Sequence, residues 1–89
     1  MPDSKALDPL TKIVANAYEN RDVRIAAADA LRNYRDMNAY RALIHVLNGK
    51  DFGVAWQARK SLVLLSGRDM SYNEAAWLGY LTSSSKPLG

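Results

Sequence analysis

Basic side chains are the one group of residues in this sequence that could do chemistry together. Several fall on predicted helices, on the side away from the apolar stripe: Arg24, Arg32, Arg35, Arg59 and Lys60. Arginine pairs bidentately with carboxylates and phosphates, so such a row can hold an acidic peptide or a run of phosphates. The set predicts a binding face for an acidic partner, and the plain alternative is a solvated helix face.

Residues that catalysis or metal binding would need are scarce. The sequence has no cysteine and one histidine, His45, which falls off the predicted apolar stripe. No disulfide, thiolate metal site or cysteine nucleophile can therefore form, and nothing near His45 completes a triad or a metal set. No glycine-rich phosphate loop follows a strand, and no two carboxylates share a secluded face. We predict no enzyme activity, no metal and no cofactor, and a surface position for His45.

The composition is that of a small soluble domain with a basic middle. The chain has 89 residues and a formal charge of +3, from 12 Lys and Arg against 9 Asp and Glu. Residues 21–68 hold nine basic and four acidic side chains, a local balance of +5, which permits an acidic partner. No apolar run reaches the roughly 20 residues that cross a bilayer, and the first residues lack an export pattern. We expect a cytoplasmic chain without membrane contact.

Residues 22–34, DVRIAAADALRNY, form the stretch around which the chain is organised. Its apolar residues step by four, three, one and three, which places them on one face of a helix. They are Val23, Ala27, Ala30, Leu31 and Tyr34, and 31 residues later the same steps give Val54, Ala58, Ser61, Leu62 and Leu65. This internal repeat predicts two equivalent helices, called B helices, over about 22–35 and 54–66.

A second pattern precedes each B helix. Leu10, Ile13, Val14 and Ala17 recur 30 residues later as Tyr40, Leu43, Ile44 and Leu47, and Trp77, Leu78 and Leu81 follow Leu43, Ile44 and Leu47 by 34. These three A helices and the two B helices make two and a half hairpins in the order A, B, A, B, A. We assign residues 8–82 to this repeat domain, 1–7 to a mobile lead-in and 83–89 to a disordered tail.

Local residues predict the helix ends. We expect Asp8 and Pro9 to begin the first helix, Asn20 to end it in the left-handed conformation, and Asp22 to cap the second. The third helix follows the turn 36–38 and ends at Asn48 and Gly49, and Gly67 closes the fourth. Ser71 and Glu74 have the spacing of a capping box for the last helix.

The predicted fold is all-α, a short right-handed solenoid of about five helices. In such a stack each hairpin buries only its neighbours' faces. The alternative is a compact five-helix bundle. Stacking is favoured because a bundle gives no reason for one spacing to recur at a constant offset.

The segment DVRIAAADALRNYRD resembles the second helix of a HEAT repeat, of the HEAT-like, PBS-lyase type. Six residues match the family pattern: Asp22, Val23, Arg24, Ala27, Ala30 and Leu31. The resemblance spans about 8–82, but the second copy is degenerate, with Ala55, Trp56 and Gln57 in place of Arg24, Ile25 and Ala26. The ending LLSGRDMSYNEAAW is similar to a segment that often follows the last HEAT repeat of bacterial proteins.

This resemblance implies a helical scaffold for protein contacts, with no common chemistry. It places the B helices on the concave side, where the basic residues would project. It also implies that Arg24, Asp22 and Asp51 tie the repeats together as a ladder of charge-assisted hydrogen bonds. Since Ala55 replaces the second arginine, the ladder cannot extend past one rung.

The last predicted helix is unusual because its stretch 75–81, AAWLGYL, has no charge. A terminal solenoid element normally has a polar outer face. If Trp77, Leu78 and Leu81 pack inward, then Ala76, Gly79 and Tyr80 form an outer surface that permits close helix approach. We expect a partner or a second copy of the chain to bind at this end, at Trp77 and Tyr80. The plain alternative is that such small residues tolerate exposure.

These observations predict a noncatalytic protein-interaction module whose protein partner they do not identify. One alternative is weak, sequence-independent nucleic-acid binding through phosphates on the basic B-helix face. Against it, the aromatic residues mostly fall on core positions, where they cannot stack on bases. Another alternative is that the chain is the terminal cap of a longer repeat protein.

Overall fold

A computed structural model describes residues 4–83 of the chain. Its α-helices are α1 (Leu7–Ala15), α2 (Arg21–Ala30), α3 (Met37–His45), α4 (Phe52–Ser66) and α5 (Glu74–Ser83). Short 3-10 helices precede α1 at Ser4–Ala6 and extend α2 at Leu31–Asn33. Residues 4–83 contain no β-strand, so the all-α fold with five helices is confirmed.

The predicted lead-in and tail differ from the structure where the two overlap. The predicted lead-in covers residues 1–7, yet residues 4–6 are helical and Leu7 is a buried residue that begins α1. Residues 1–3 of the predicted lead-in and 84–89 of the predicted tail lie outside the described residues. Ser83, the first residue of that tail, ends α5.

Two helical hairpins, α1 with α2 and α3 with α4, pack side by side. Contacts join α1 to α3 and α2 to α4, so A helices lie beside A helices and B beside B. The predicted stripe of α3 is confirmed: Tyr40, Leu43, Ile44 and Leu47 are at most 3% exposed. Val14, Leu31, Val54, Ala58 and Leu62 complete the centre of the core. The repeat offset therefore does correspond to a stacking of equivalent helices.

The buried face of α2 is rotated from the one that the sequence predicted. Val23, predicted to lie on the stripe, is 44% exposed, whereas Ala28, which that stripe leaves out, is completely buried. The Ser61 hydroxyl donates to the Ala28 carbonyl at 2.7 Å. Because α4 lies along the flank of α2, α2 must bury that flank as well as the face that it turns to α1. A side chain as small as alanine at position 28 lets the two backbones approach.

The amino-terminal caps are not the residues predicted for α1, α2 and α5. Asp8 lies inside the first turn of α1. Asn20, predicted as a helix end, caps α2 by accepting from the amides of Asp22 and Val23, so Asp22 is not the cap. The predicted capping box is also wrong, since Ser71 is a left-handed residue with φ 56° and the Asn73 side chain accepts from the Ala76 amide.

The carboxyl ends show where glycine is needed. Gly67 ends α4 with φ 74°, as predicted, because glycine has no side chain to oppose a left-handed conformation. Gly49 does not have a positive φ, and α3 already ends at His45. The predicted role of Gly49 as a left-handed end is therefore wrong.

Helix α5 packs on α3 in the opposite direction to the one that the repeat predicts. At its start, the Asn48 side-chain amide donates to the Glu74 carboxylate at 3.3 Å, just beyond the carboxyl end of α3. Near its other end, the Arg68 guanidinium lies 5.5 Å from the centre of the Tyr80 ring, at the carboxyl end of α4. Since α3 and α4 form a hairpin, these contacts make α5 antiparallel to α3.

The reversal follows from residues 67–73, here called the strap, which return along α4. Asp69 and Tyr72 of the strap both contact Arg59 in the middle of α4, and Tyr72 also reaches Phe52 at its start. Leu78 consequently does not take the place of Ile44: Leu78 is 39% exposed and Ile44 is 1% exposed. Helix α5 is not a third A helix in register with the other two.

Candidate interaction surface

Four residues at intervals of four along α4 form an exposed row, here called the α4 ridge: Phe52, Trp56, Lys60 and Leu64. The exposed fractions of the three apolar side chains are 69% for Phe52, 48% for Trp56 and 52% for Leu64. Residues four apart lie above one another on a helix, so the row is continuous. It spans thirteen residues, whose twelve steps make about 18 Å at the helical rise.

Helix α4 is unusual because its opposite face is apolar too. Val54, Ala58, Leu62 and Leu65 on that face are at most 4% exposed and belong to the core. A helix at the surface of a globular protein normally has one apolar stripe and a polar outer face, whereas a helix that is apolar all round is normally covered on both sides. The ridge therefore has the composition of a face that another molecule covers.

Aromatic and cationic groups are interleaved along the ridge. The Lys60 ammonium lies 5.2 Å from the centre of the Trp56 ring, and the Phe52 and Tyr72 rings are 5.7 Å apart. Next to them is a shallow depression of about 330 Å³ lined by Trp56, Arg59, Lys60, Val63 and Asp69. This arrangement offers apolar contact area and one cation in a fixed position.

The strap is held against α4 by an ion pair. Arg59 donates from Nε to Asp69 Oδ1 at 3.0 Å and from Nη2 to Oδ2 at 2.6 Å, and its guanidinium lies 5.1 Å from the centre of the Tyr72 ring. The hydrogen bond from Arg59 lowers the pKa of Asp69, and the one to Asp69 raises the pKa of Arg59. The Arg59 guanidinium is thus already engaged by the strap, and a partner would have to compete with Asp69 for it.

This pair predicts an acid-sensitive contribution to stability. Because the folded-state pKa of Asp69 is lowered, the contribution is present above the pKa of an unfolded aspartate, about 3.9, and is lost as the pH falls through the lowered value. We expect Asp69→Asn to lower the urea midpoint at neutral pH and to make a smaller difference at roughly pH 2. Asparagine still accepts from the Ser71 amide through its remaining oxygen, but its NH2 group cannot accept from Arg59 Nη2, so the charge and that hydrogen bond are both lost. Arg59→Gln should follow the same pH dependence, and a difference that is equal at both pH values would contradict the assignment.

The five basic residues predicted to form one face do not act as a group. Arg24 donates from Nε and Nη2 to the Val14 carbonyl at 3.1 and 2.9 Å, which closes the carboxyl end of α1. It therefore does not project as predicted. Arg32, in the 3-10 helix that extends α2, has its Nε 3.5 Å from Asp29 Oδ1, and Arg35 is exposed in the turn before α3. Only Arg59 and Lys60 lie together at the depression beside the ridge.

The predicted ladder between repeats is formed by another arginine. Arg21 Nε donates to Asp51 Oδ1 at 2.9 Å, whereas Arg24 binds a carbonyl and Asp22 is exposed. Asp51 also caps α4 by accepting from Gly53 and Val54 amides. A β-carbon at position 53 would collide with the Arg21 guanidinium, so glycine is what lets Arg21 approach.

The predicted self-association site on α5 is only partly at the surface. Trp77 is completely buried, and its indole nitrogen donates to the Ser71 carbonyl at 2.9 Å, so it cannot contact another molecule. Tyr80 is half-buried and packs against the core. The sequence prediction that Trp77 packs inward is confirmed, so of the two residues named for this site Tyr80 alone lies partly at the surface.

A larger depression, about 920 Å³, lies among the turns that join α1 to α2 and α3 to α4, and Phe52 at the start of the ridge is part of its lining. It is lined by charged residues of both signs, among them Glu19, Arg21, Arg24, Lys50 and Asp51, and by the exposed His45. The arginines are already engaged, Arg21 with Asp51 and Arg24 with Val14. Its mixed charges therefore indicate a class of ligand less clearly than the apolar side chains of the ridge do.

Sequence reasoning missed Phe52, Trp56 and Leu64 as site residues. Their spacing of four and eight was the available signal, since it traces a second apolar stripe on a helix that already has one. Among residues 4–83, no three metal-ligating side chains cluster together and no helix is long and apolar enough to cross a membrane. The cytoplasmic location expected from the sequence stays a prediction.

Comparisons with known proteins add no family to this description. No protein-family model, curated protein sequence or solved structure matches the chain. The class that fold and surface define is therefore a coarse one: an all-α protein of two packed helical hairpins and a reversed fifth helix, with an exposed apolar ridge.

Proposed function

We propose that this protein is a noncatalytic protein-interaction module built from HEAT-like helical hairpins, and that the α4 ridge is its contact surface. The observation that carries the proposal is the apolar character of both faces of α4, one in the core and one exposed. Exposed apolar groups that are contiguous, rather than scattered, are typical of binding sites. Tryptophan at the centre of such a patch is a frequent binding hot spot.

The resemblance of residues 22–36 to a HEAT repeat supports the same function, because that family supplies scaffolds for protein contacts. The stacking of α1 on α3 and α2 on α4 is compatible with such repeats. The right-handed solenoid and the family itself remain part of the proposal.

Nucleic-acid binding is the weaker candidate. A phosphate-binding face needs cations that are available to solvent, yet Arg24, Arg32 and Arg59 are engaged within the chain. The ridge itself contributes one cation and three apolar side chains, which suits a protein surface better than a phosphate backbone.

Selection of helix-length peptides from a displayed random library, with the protein immobilised, tests the proposal. We expect recovered peptides to bind Phe52→Ser/Trp56→Ser at least about tenfold more weakly. Leu78→Ser is the matched control, because it removes an exposed leucine from α5 and should leave binding unchanged.

Two outcomes would contradict the proposal. One is the recovery of no peptide that distinguishes the protein from the double variant. The other is binding of a duplex oligonucleotide that weakens steeply between two salt concentrations, as counterion release requires, and that is lost in Lys60→Glu. The second result would establish the nucleic-acid alternative.

A further inference from the structure

The order of residues along the α4 ridge is self-complementary. The row reads Phe52, Trp56, Lys60, Leu64, with equal steps on either side of position 58. We infer that two copies of the chain pair through this ridge. Their α4 helices run in opposite directions and cross as inclined i, i+4 rows do when they pack together, about a two-fold axis on the ridge side of α4, level with position 58. The inference rests on the proposed function and names the partner as a second copy.

The two-fold axis matches unlike groups at the centre. It places Trp56 of each copy opposite Lys60 of the other, because both lie two residues from position 58. Within one chain the Lys60 ammonium already lies against the Trp56 ring, at 5.2 Å from its centre, and the ring is still 48% exposed. A tryptophan ring attracts an ammonium group through its quadrupole, and more strongly once water is excluded.

The same axis matches apolar groups at the two ends. Phe52 of each copy faces Leu64 of the other, and these side chains are 69% and 52% exposed in the single chain. The Phe52 ring stands beside Tyr72 of the strap, so the leucine meets a pair of rings. All four positions of the ridge are thereby covered.

Other arrangements of two ridges match less well. A parallel pair in register brings Lys60 against Lys60, and two like charges at close range repel. An antiparallel pair shifted by one helical turn brings Lys60 against Lys60 in one direction. In the other direction it brings Lys60 against Phe52 and leaves Leu64 opposite Asn48. The antiparallel pair about position 58 is the arrangement that gives each lysine an aromatic ring and each end an apolar contact. Its closed two-fold symmetry also limits the assembly to a dimer.

The dimer is expected to be weak. A contact about 18 Å long and one helix wide buries less than the roughly 1,000 Å² of a stable specific interface. Each chain also has a formal charge of +3, which opposes association. We expect a dissociation constant of about 100 µM, within the range of transient contacts.

Cysteine cross-linking tests the register, because the chain has no cysteine of its own. Phe52→Cys and Leu64→Cys are made separately, and both positions are exposed, so folding should be preserved. In the proposed dimer, Cys at position 52 of one copy lies opposite position 64 of the other, but about 18 Å from position 52 of the other. An oxidised mixture of the two variants should therefore form a cross-linked dimer, and neither variant alone should do so.

Cross-linking tests the register but does not measure affinity. Sedimentation equilibrium from about 10 µM to 1 mM measures the dissociation constant of the dimer. Trp56→Ala should weaken the dimer at least about fivefold, and Leu78→Ser and Tyr80→Ala, both on α5, should not change it. Cross-linking of either cysteine variant with itself, or a dimer weakened only by the α5 variants, would overturn the proposed pairing. A monomer at every concentration would overturn it too. If that monomer still binds the selected peptides through the ridge, the interaction function stands without self-association, and if it binds none, both proposals fail.

Discussion

Replacing Ala28 with arginine is expected to unfold much of the protein under conditions in which the native chain is folded. Ala28 is completely buried between α2 and α4, and its carbonyl accepts from the Ser61 hydroxyl. Arginine there would have to be buried without a partner or force the two helices apart. We expect a loss of about 4 kcal/mol or more in the free energy of unfolding. Urea denaturation followed by circular dichroism measures it.

Ala26→Arg is the matched control for this substitution. Ala26 lies two residues earlier on α2 and is exposed, so the same change should cost no more than about 0.5 kcal/mol. The comparison is informative because position 59, which follows position 28 by the repeat offset of 31 residues, is an arginine. The repeat alone would therefore predict that arginine is tolerated at position 28. Equal stability of the two variants would mean that α4 does not lie on this flank of α2.

Trp77→Ala has the second large expected effect. The Trp77 side chain is completely buried in the core, and its indole nitrogen donates to the Ser71 carbonyl of the strap. Removal of a buried aromatic side chain costs about 3 to 5 kcal/mol. That is a large share of the roughly 4 to 13 kcal/mol that a chain of this length is expected to have. Thermal unfolding should show a much lower midpoint.

The neighbouring Leu78 provides the control. Leu78→Ala removes a side chain that is 39% exposed on the same helix, so the loss should be about 1 kcal/mol or less. Trp77→Phe separates packing from hydrogen bonding, because phenylalanine fills most of the site but cannot donate. A Trp77→Ala variant as stable as Leu78→Ala would show that α5 is not an integral part of the fold.

The two stacked hairpins could be predicted because their information is periodic and local. Residues such as Tyr40, Leu43 and Ile44 repeat at helical spacing, and a buried stripe is what that spacing produces. Ala28 could not be placed in the same way. Periodicity shows the main apolar face of a helix, but an alanine on a second, flanking contact looks the same as an alanine in water.

The direction of α5 was beyond local reasoning. The spacing of Trp77, Leu78 and Leu81 is equally compatible with either direction of the helix, and the offset of 34 suggested the wrong one. The direction of α5 is set by the contacts of Asp69 and Tyr72 with Arg59, because these contacts bring the strap back along α4. No periodic or local pattern in the sequence predicts that the strap packs against α4.

The candidate site was predicted in its neighbourhood but not in its chemistry. The sequence indicated the second B helix and named Arg59 and Lys60, which do lie at the ridge. The sequence favoured a cationic site over an apolar one, because it does not show that several of the arginines have partners within the chain. Trp56 enters the sequence prediction only as a departure from the repeat pattern. That substitution places an exposed indole ring on a helix whose other face is already apolar and in the core.

The contrast between the two tryptophans makes the protein its own fluorescent probe. The ring of Trp56 is about half in water and that of Trp77 is fully enclosed, so their emission should differ in wavelength and in access to quenchers. Covering the ridge should change the red part of the spectrum alone, whereas unfolding should change the blue part. Occupancy and folding can thus be followed in one cuvette without an added label.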